Sequence, residues 1–392
     1  MSERKQKVLI VHNYYQIPGG EDTVVANEKK LLEDHGHEVI LYTRHNSELK
    51  TLSKIQKLLL PISTIFNFQT YKDVKKIIRE EKIEIVHVHN TLNLISPSVY
   101  YAAFACHVPV VQTVHNFRLL CPGATFFREG HVCEECLSKG LVCAVKHKCY
   151  RGSRVQTLAC AISTWIHRLI GTYKKLNYIC LTDFNKDKLL QLKQIKKEKV
   201  FVKPNFVEEA KEIVPYKNRK NQFIYVGRLE EIKGIDVLLE AWKLMKAEAP
   251  ELIMCGKGPL EEWAKEYIEK NNLSKVKLLG FIPNTEVRKL IGESKALVLP
   301  TQVYEGFPMT IAESYACGTP VIGSDLGNTG SLIKNGISGY KFAPNSAKEL
   351  TEAVRKLSSS FRELDRTVIG KYSSENNYQK LREIYEACCD HY

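Results

Sequence analysis

Short β-branched runs recur along this chain, each followed by a longer stretch with apolar residues at helical spacing. That alternation admits few folds, chiefly parallel sheets covered by helices on both faces. The first series of strand-like runs is 7–11, 39–42, 83–87, 110–114, 178–181 and 200–202. A second series begins afresh at 223–226 and continues through 252–255, 276–278, 296–299 and 321–322, with helical stretches such as 235–247 and 260–271 between them. At 392 residues the chain exceeds one typical domain. Two doubly wound α/β domains are therefore expected, 1–205 and 206–372, joined in a charged segment that carries Pro204 and Pro215. A final helical segment, 373–392, is read as crossing back to the first domain. Sheets of this kind bind ligands at the carboxyl ends of their strands, so the active site is expected in a cleft between the two.

Charge divides unevenly between these halves. Up to Asn205 there are 31 Lys and Arg against 18 Asp and Glu, and beyond it 26 of each. A cationic half predicts an anionic partner, whether nucleic acid, a membrane surface or a phosphorylated substrate, unless it is merely a solvated basic surface. No aromatic platform or recognition motif accompanies the charge, so nucleic acid is not read as a partner. No run approaches the roughly 18 to 20 apolar residues that span a bilayer. The N-terminus passes from Arg4, Lys5 and Lys7 directly into a strand. A cytoplasmic protein, associated with the inner face of the cell membrane, is expected. Its twelve cysteines are then thiols or metal ligands sooner than disulfides. Within 54–68, lysines alternate with aliphatics and phenylalanines, which suits either a membrane interface or a buried helix followed by a loop. With the basic half it favours a lipid-linked acceptor.

The chemistry concentrates after the strand 296–299. A loop there carries Glu305 and Gly306, Pro308 suits the first turn of the next helix, and the amides of that turn are ready for a phosphate or a sugar hydroxyl. Glu313, one turn further on, is placed to accept hydrogen bonds from ribose hydroxyls. Glu305 to Glu313, continuing through Gly318-Thr319-Pro320, resembles the Glu-x7-Glu signature of glycosyltransferase family 4, whose members have the two-domain GT-B fold. Gly227-Arg228 with Lys233-Gly234, then Gly256-Lys257-Gly258-Pro259 and Leu279-Gly280-Phe281, are similar to further landmarks of that family in the same order. The resemblance covers nearly the whole chain. It implies a retaining transferase that moves a sugar from a nucleoside diphosphate donor to a saccharide or lipid-linked acceptor, in cell-surface polysaccharide assembly. A noncatalytic nucleotide-sugar-binding or scaffold protein on the same fold is the alternative.

The residues agree with that identification. A departing nucleoside diphosphate gathers negative charge that must be stabilised. The chain contains no Asp-x-Asp pair to hold a divalent metal, so no catalytic metal is expected; Arg228 and Lys233 are fixed cations for the same purpose. The donor site is then Arg228, Lys233, Gly256, Lys257, Phe281, Glu313, and Glu305 with the Gly306, Phe307 and Pro308 segment. In the first half, Ile17-Pro18-Gly19-Gly20 follows the first strand, where adjacent glycines let a backbone approach a phosphate at a helix start. The resemblance places His115 against the transferred sugar. His87 and His89 share a strand face but lack an evident third metal ligand, and are read as pocket or strand-end histidines. Cys133-x2-Cys136 with thiols nearby has the spacing of a structural zinc site, though free thiols and disulfides stay open. Resemblance to one branch of the family selects Cys121, Cys133, Cys136 and Cys149 as ligands, within a Cys-rich insertion at about 121–149.

Overall fold

The computed structural model describes residues 5–16, 19–210, 212–361 and 363–390, without the side chains of Arg366 and Asp390. Arg4, Ile17 and Pro18, which entered the sequence reading, lie outside the described residues. The chain divides into two compact units. The first comprises residues 1–126, 134–204 and 377–392, and the second 127–133 and 205–376.

In the first unit, β1 (Lys7–Tyr14), β2 (Glu38–His45), β3 (Ile85–Asn90), β4 (Val110–Val114), β7 (Asn177–Cys180) and β8 (Val200–Val202) form one parallel sheet in the order β2-β1-β3-β4-β7-β8. Between β4 and β7 in the chain, β5 (Phe127–Arg128) and β6 (His131–Val132) form a two-stranded antiparallel hairpin that belongs to the second unit. β3 and β4 are wholly buried, as fits strands covered on both faces. One face packs with Val74, Val99 and Tyr100. The other packs with Val25 and Leu32 of helix Gly20–Asp34 and with Leu381, Ile384 and Tyr385 of helix Ser374–Asp390. The chain leaves β1 toward β2 and returns on the other side to β3. That reversal opens a crevice past the carboxyl ends of β1 and β3.

The second unit repeats the plan with β9 (Lys220–Val226), β10 (Glu251–Cys255), β11 (Val276–Gly280), β12 (Ser294–Leu299), β13 (Val321–Ser324) and β14 (Gly339–Phe342), ordered β11-β10-β9-β12-β13-β14 and all parallel. Its reversal lies between β9 and β12. The sixth strand has no counterpart in the sequence reading. It is four residues long and begins at Gly339, where φ is 148° and a Cβ would lie 1.8 Å from the Val321 carbonyl oxygen. Sheet pairing, not β propensity, makes this segment a strand. No described helix is long and apolar enough to cross a membrane.

Candidate active site

The reversal between β9 and β12 brings two loops together. After β9, Gly227 accepts a backbone register set by its neighbour: its amide donates to the Cys255 carbonyl (3.0 Å), and the Leu229 amide donates to that of Lys257 (3.0 Å). A Cβ at Gly256 would sit 1.8 Å from the Gly227 oxygen, so this close approach of loops requires glycine. Gly234, at φ 70°, is similarly pressed on the Pro300 carbonyl. The tight turn at Glu231–Lys233 thereby holds Lys233 beside the loop that follows β12. Lys233 Nζ lies 2.7 Å from Glu305 Oε1, with both side chains more than four-fifths buried. Thr301 donates to the same carboxylate at 2.9 Å. Asn328 Nδ2 donates to the carbonyls of Glu305 (2.6 Å) and Gly306 (2.7 Å), fixing the loop from behind.

Pro308 caps helix Met309–Ala316 from just outside it and is not in its first turn, contrary to expectation; its φ of −74° and ψ of 93° are extended. The first amides of that helix remain unsatisfied within the helix itself. Glu313 Oε1 accepts from Asn284 at 3.0 Å. Burial pushes the Glu313 carboxyl upward, while Asn284 and Arg288 pull against it. Arg228 is 70% exposed and pairs with Glu230 at 2.9 Å, not with the Lys233–Glu305 pair. It still shares their field: the buried Tyr225 phenol is raised by burial first, then by Glu305 and Glu230, and lowered by Arg228. Lys257 and Phe281 are exposed on the neighbouring loops.

The crevice of the first unit is lined differently. His115, just past β4, faces a cavity bordered by Asn90, Ser96, Asn116 and Arg118. Behind it runs a buried chain of polar contacts that only the three-dimensional fold reveals. His115 Nε2 lies 2.9 Å from His89 Nδ1. His89 Nε2 is 3.4 Å from Glu28 Oε1, which also lies 2.9 Å from His87 Nδ1. Lys203 Nζ meets the other Glu28 oxygen at 2.8 Å. His87 Nε2 contacts the Thr113 hydroxyl at 2.7 Å. Burial alone would push the Glu28 carboxyl up, but Lys203, His87 and His89 together hold it well below its ordinary value. An ionised Glu28 favours N–H on the histidine nitrogens that face it. His89 then presents a lone pair at Nδ1, His115 donates from Nε2, and the Nδ1 of His115 is left as an acceptor. Burial, followed by the neighbouring His89, keeps the His115 ring neutral.

Among the described residues, Glu28, His87 and His89 are the one group of three metal-ligand types whose atoms lie within 4.8 Å of one another. The sequence reading saw no third ligand because Glu28 is remote in the chain, on the first helix. The Lys203 ammonium already compensates that carboxylate, so the group is read as an internal ion-pair network.

Gly19 caps the first helix, and its amide donates to Asp22 Oδ2 at 2.9 Å, while Asp22 Oδ1 meets His12 Nε2 at 2.7 Å. Nothing lies within 4 Å of a Cβ built at Gly19, and its φ of −128° suits any residue. The fold itself therefore does not demand glycine there. Glu21, missed in the sequence, has its carboxyl pushed up to about 7 by desolvation, against the Tyr15 hydroxyl donating at 2.9 Å.

The cysteines of the insertion are all free thiols. Cys121 neighbours Cys136, whose hydrogen bond lowers the Cys121 thiol. Cys136 packs with Leu141, Ala144 and Ala161, and with the half-buried Cys149, as a small apolar cluster. No three of Cys121, Cys133, Cys136 and Cys149 bring their sulfurs within 4.8 Å of one another.

Family comparison accounts for both units. Residues 18–211 match the model described as Glycosyltransferase Family 4, and residues 206–375 match Glycosyl transferases group 1. The uncharacterized glycosyltransferase MJ1178 of Methanocaldococcus jannaschii is 26% identical over 98% of this chain and 99% of its own. The amylovoran biosynthesis glycosyltransferase AmsK of Erwinia amylovora is 30% identical over 42% of this chain and 44% of its own. Among solved structures, the lipopolysaccharide outer core galactosyltransferase WaaB superposes with a TM-score of 0.66 at 18% identity, over 96% of this chain and 98% of that one. Anabaena Alr3699/HepE in complex with UDP superposes at 0.64 with 16% identity, over the same shares. At such identities these two are likenesses of fold. With one glycosyltransferase model matching each half and the fold shared end to end, the chain belongs to the family 4 type of glycosyltransferases and has the GT-B fold.

Proposed function

We propose that the chain is a retaining, nucleotide-sugar-dependent glycosyltransferase of cell-surface polysaccharide assembly that uses no catalytic metal. One observation carries this reading: a lysine–carboxylate pair, Lys233 with Glu305, held at the strand reversal of the second sheet, where ligands of such sheets bind. The donor diphosphate takes over the Lys233 ammonium and recruits the exposed Arg228 from Glu230. Glu305 and the Gly306–Phe307 backbone then hold sugar hydroxyls, and Glu313 holds the ribose. Lys257 and Phe281 border the nucleotide. Taken by itself, the first unit offers a close backbone approach to a phosphate at Gly19–Gly20 and, at the Nδ1 of His115, an acceptor for a sugar hydroxyl.

In transfer, the bond from the anomeric carbon to the phosphate oxygen breaks and its electron pair goes to the diphosphate. The acceptor hydroxyl oxygen bonds the same face of that carbon, and its proton passes to the departing phosphate. Lys233 and Arg228 stabilise the growing charge. Solved relatives of this fold bind UDP and UDP-glucose, which supports a nucleoside diphosphate sugar as donor. The acceptor is a saccharide or a lipid-linked sugar. The test is a donor panel assayed in the presence of a chelator, with the anomeric configuration of the product read by NMR. Release of nucleoside diphosphate with a retained anomer is expected; inversion, or release only after a divalent ion is restored, contradicts the reading.

A further inference from the structure

Two helices of the first unit are amphipathic in the wrong sense for water. Helix Arg154–Leu169 buries Thr157, Ser163, Thr164 and His167, together with Cys160 and Ala161. It exposes Val155, Leu158, Ile162, Trp165 and Leu169, a stripe at helical spacing. Helix Lys54–Ile65 buries only Thr64 and exposes Ile55, Leu58, Leu59 and Ile62, again one face. The two helices pack together. The Ser163 hydroxyl donates to the Thr64 carbonyl at 3.2 Å, and the His167 Nε2 lies 3.0 Å from that of Ile65. Their outer faces thus form one apolar surface, larger than scattered exposed side chains would give.

The two segments that carry this surface bear charge of a single sign. No Asp or Glu occurs between Glu48 and Asp73, or between Glu135 and Asp183, the segments that contain the two helices. Those segments carry Lys50, Lys54, Lys57 and Lys72 in the first, and Lys148, Arg151, Arg154, Arg168, Lys174 and Lys175 among others in the second. A second copy of the chain would meet this patch with the same patch across a two-fold axis, opposing cations to cations. An anionic lipid surface offers what both features require, apolar depth for the side chains and negative headgroups for the rim.

Between the helices lies a groove of about 320 Å³ lined by Lys57, Leu60, Pro61, Tyr150, Arg151 and Val155. The Tyr150 ring carries the Arg118 and Arg151 guanidiniums at 5.0 and 5.3 Å. Thr64 and Cys160 border both this groove and the cavity that holds His115. We infer that the paired faces of Lys54–Ile65 and Arg154–Leu169 dock on an anionic bilayer, and that the groove beneath them leads a phosphate-bearing lipid acceptor toward His115. The acceptor part rests on the transferase reading above; the docking face does not.

Cosedimentation of the full chain with vesicles tests the inference. Vesicles of phosphatidylglycerol and phosphatidylcholine are expected to bind it at least about tenfold more tightly than phosphatidylcholine alone, with the difference shrinking in salt. Leu58→Glu combined with Trp165→Glu, both at exposed positions, is expected to lower that binding by about tenfold or more, since two apolar anchors become anions. The variant should keep the wild-type melting temperature and the wild-type release of nucleoside diphosphate from soluble donor. Equal binding to both vesicle types, or unchanged binding by the variant, overturns the docking face. So does loss of a wild-type dimer in the variant with no change on vesicles. Absence of donor turnover with vesicle binding intact would instead sink the transferase reading alone.

Discussion

The two sheets wind alike, yet the charged groups at their reversals are spent in opposite ways. In the first unit, Glu28, Lys203, His87 and His89 are all buried and the last three lie within ion-pair distance of the first, with His115 between them and the cavity. In the second, Lys233 and Glu305 pair at the rim and Arg228 is largely solvent-exposed beside Glu230. A sealed network costs desolvation and returns orientation, whereas a rim pair can exchange its partner for a ligand. The contrast separates charges locked inside the fold from charges that a ligand can still reach.

Removing a charge from the sealed network is expected to have the largest effect. Lys203→Met leaves a buried carboxylate without its ammonium and should cost about 3–5 kcal/mol of stability, read by urea unfolding at pH 7. The pH dependence follows from the sign of the Glu28 shift. Because its folded value lies below the ordinary one, its contribution is present above the usual carboxylate range and is lost as pH falls through the folded value. In Lys203→Met that acid loss should move to higher pH. A variant as stable as wild type would break the comparison.

Lys233→Ala is expected to cost less stability than Lys203→Met, since Glu305 keeps the Thr301 hydroxyl and lies nearer solvent, but to lower turnover by roughly 10²–10³, the loss of one contact to developing charge. Next comes His89→Gln, which removes the ring that sets the His115 tautomer. Turnover should fall by about tenfold with the donor KM unchanged, the size of one hydrogen bond of orientation. In the wild type, imidazole NMR shifts of His115 should stay those of a neutral ring at pH 6; a titration near 6.5 would contradict its sealed environment. The smallest effect is expected from Glu313→Gln. It keeps an acceptor oxygen for the ribose, so the donor KM should rise only about three- to tenfold.

Much of this was legible in the chain. The alternation of β-branched runs and helical spacing announced two parallel sheets, and eleven of the strands arose where the runs stood. β14 was hidden because its four residues gain their conformation from pairing with β13. In the second unit the residues fall in two short motifs, Arg228 with Lys233 and Glu305 with Glu313, so all four could be picked out as candidates. Their present pairing, Arg228 to Glu230 and Lys233 to Glu305, could not, since it depends on side-chain geometry. The network behind His115 was illegible for a different reason. Glu28 and Lys203 are 175 positions apart, and nothing local marks either as buried. The cysteine spacing marked a cluster, and the fold packs Cys136 with Leu141, Ala144 and the half-buried Cys149, contacts that spacing alone does not specify.

Central to the account is that fixed cations of the second unit, Lys233 above all, bind the donor diphosphate. Calorimetric titration of nucleoside diphosphates into wild type and Lys233→Ala, in the presence of a chelator, tests it most directly. The account predicts that the wild type binds at least one of them under those conditions and that the variant binds it at least about tenfold more weakly. Binding that needs added magnesium or manganese, and is equal in the two proteins, would contradict it.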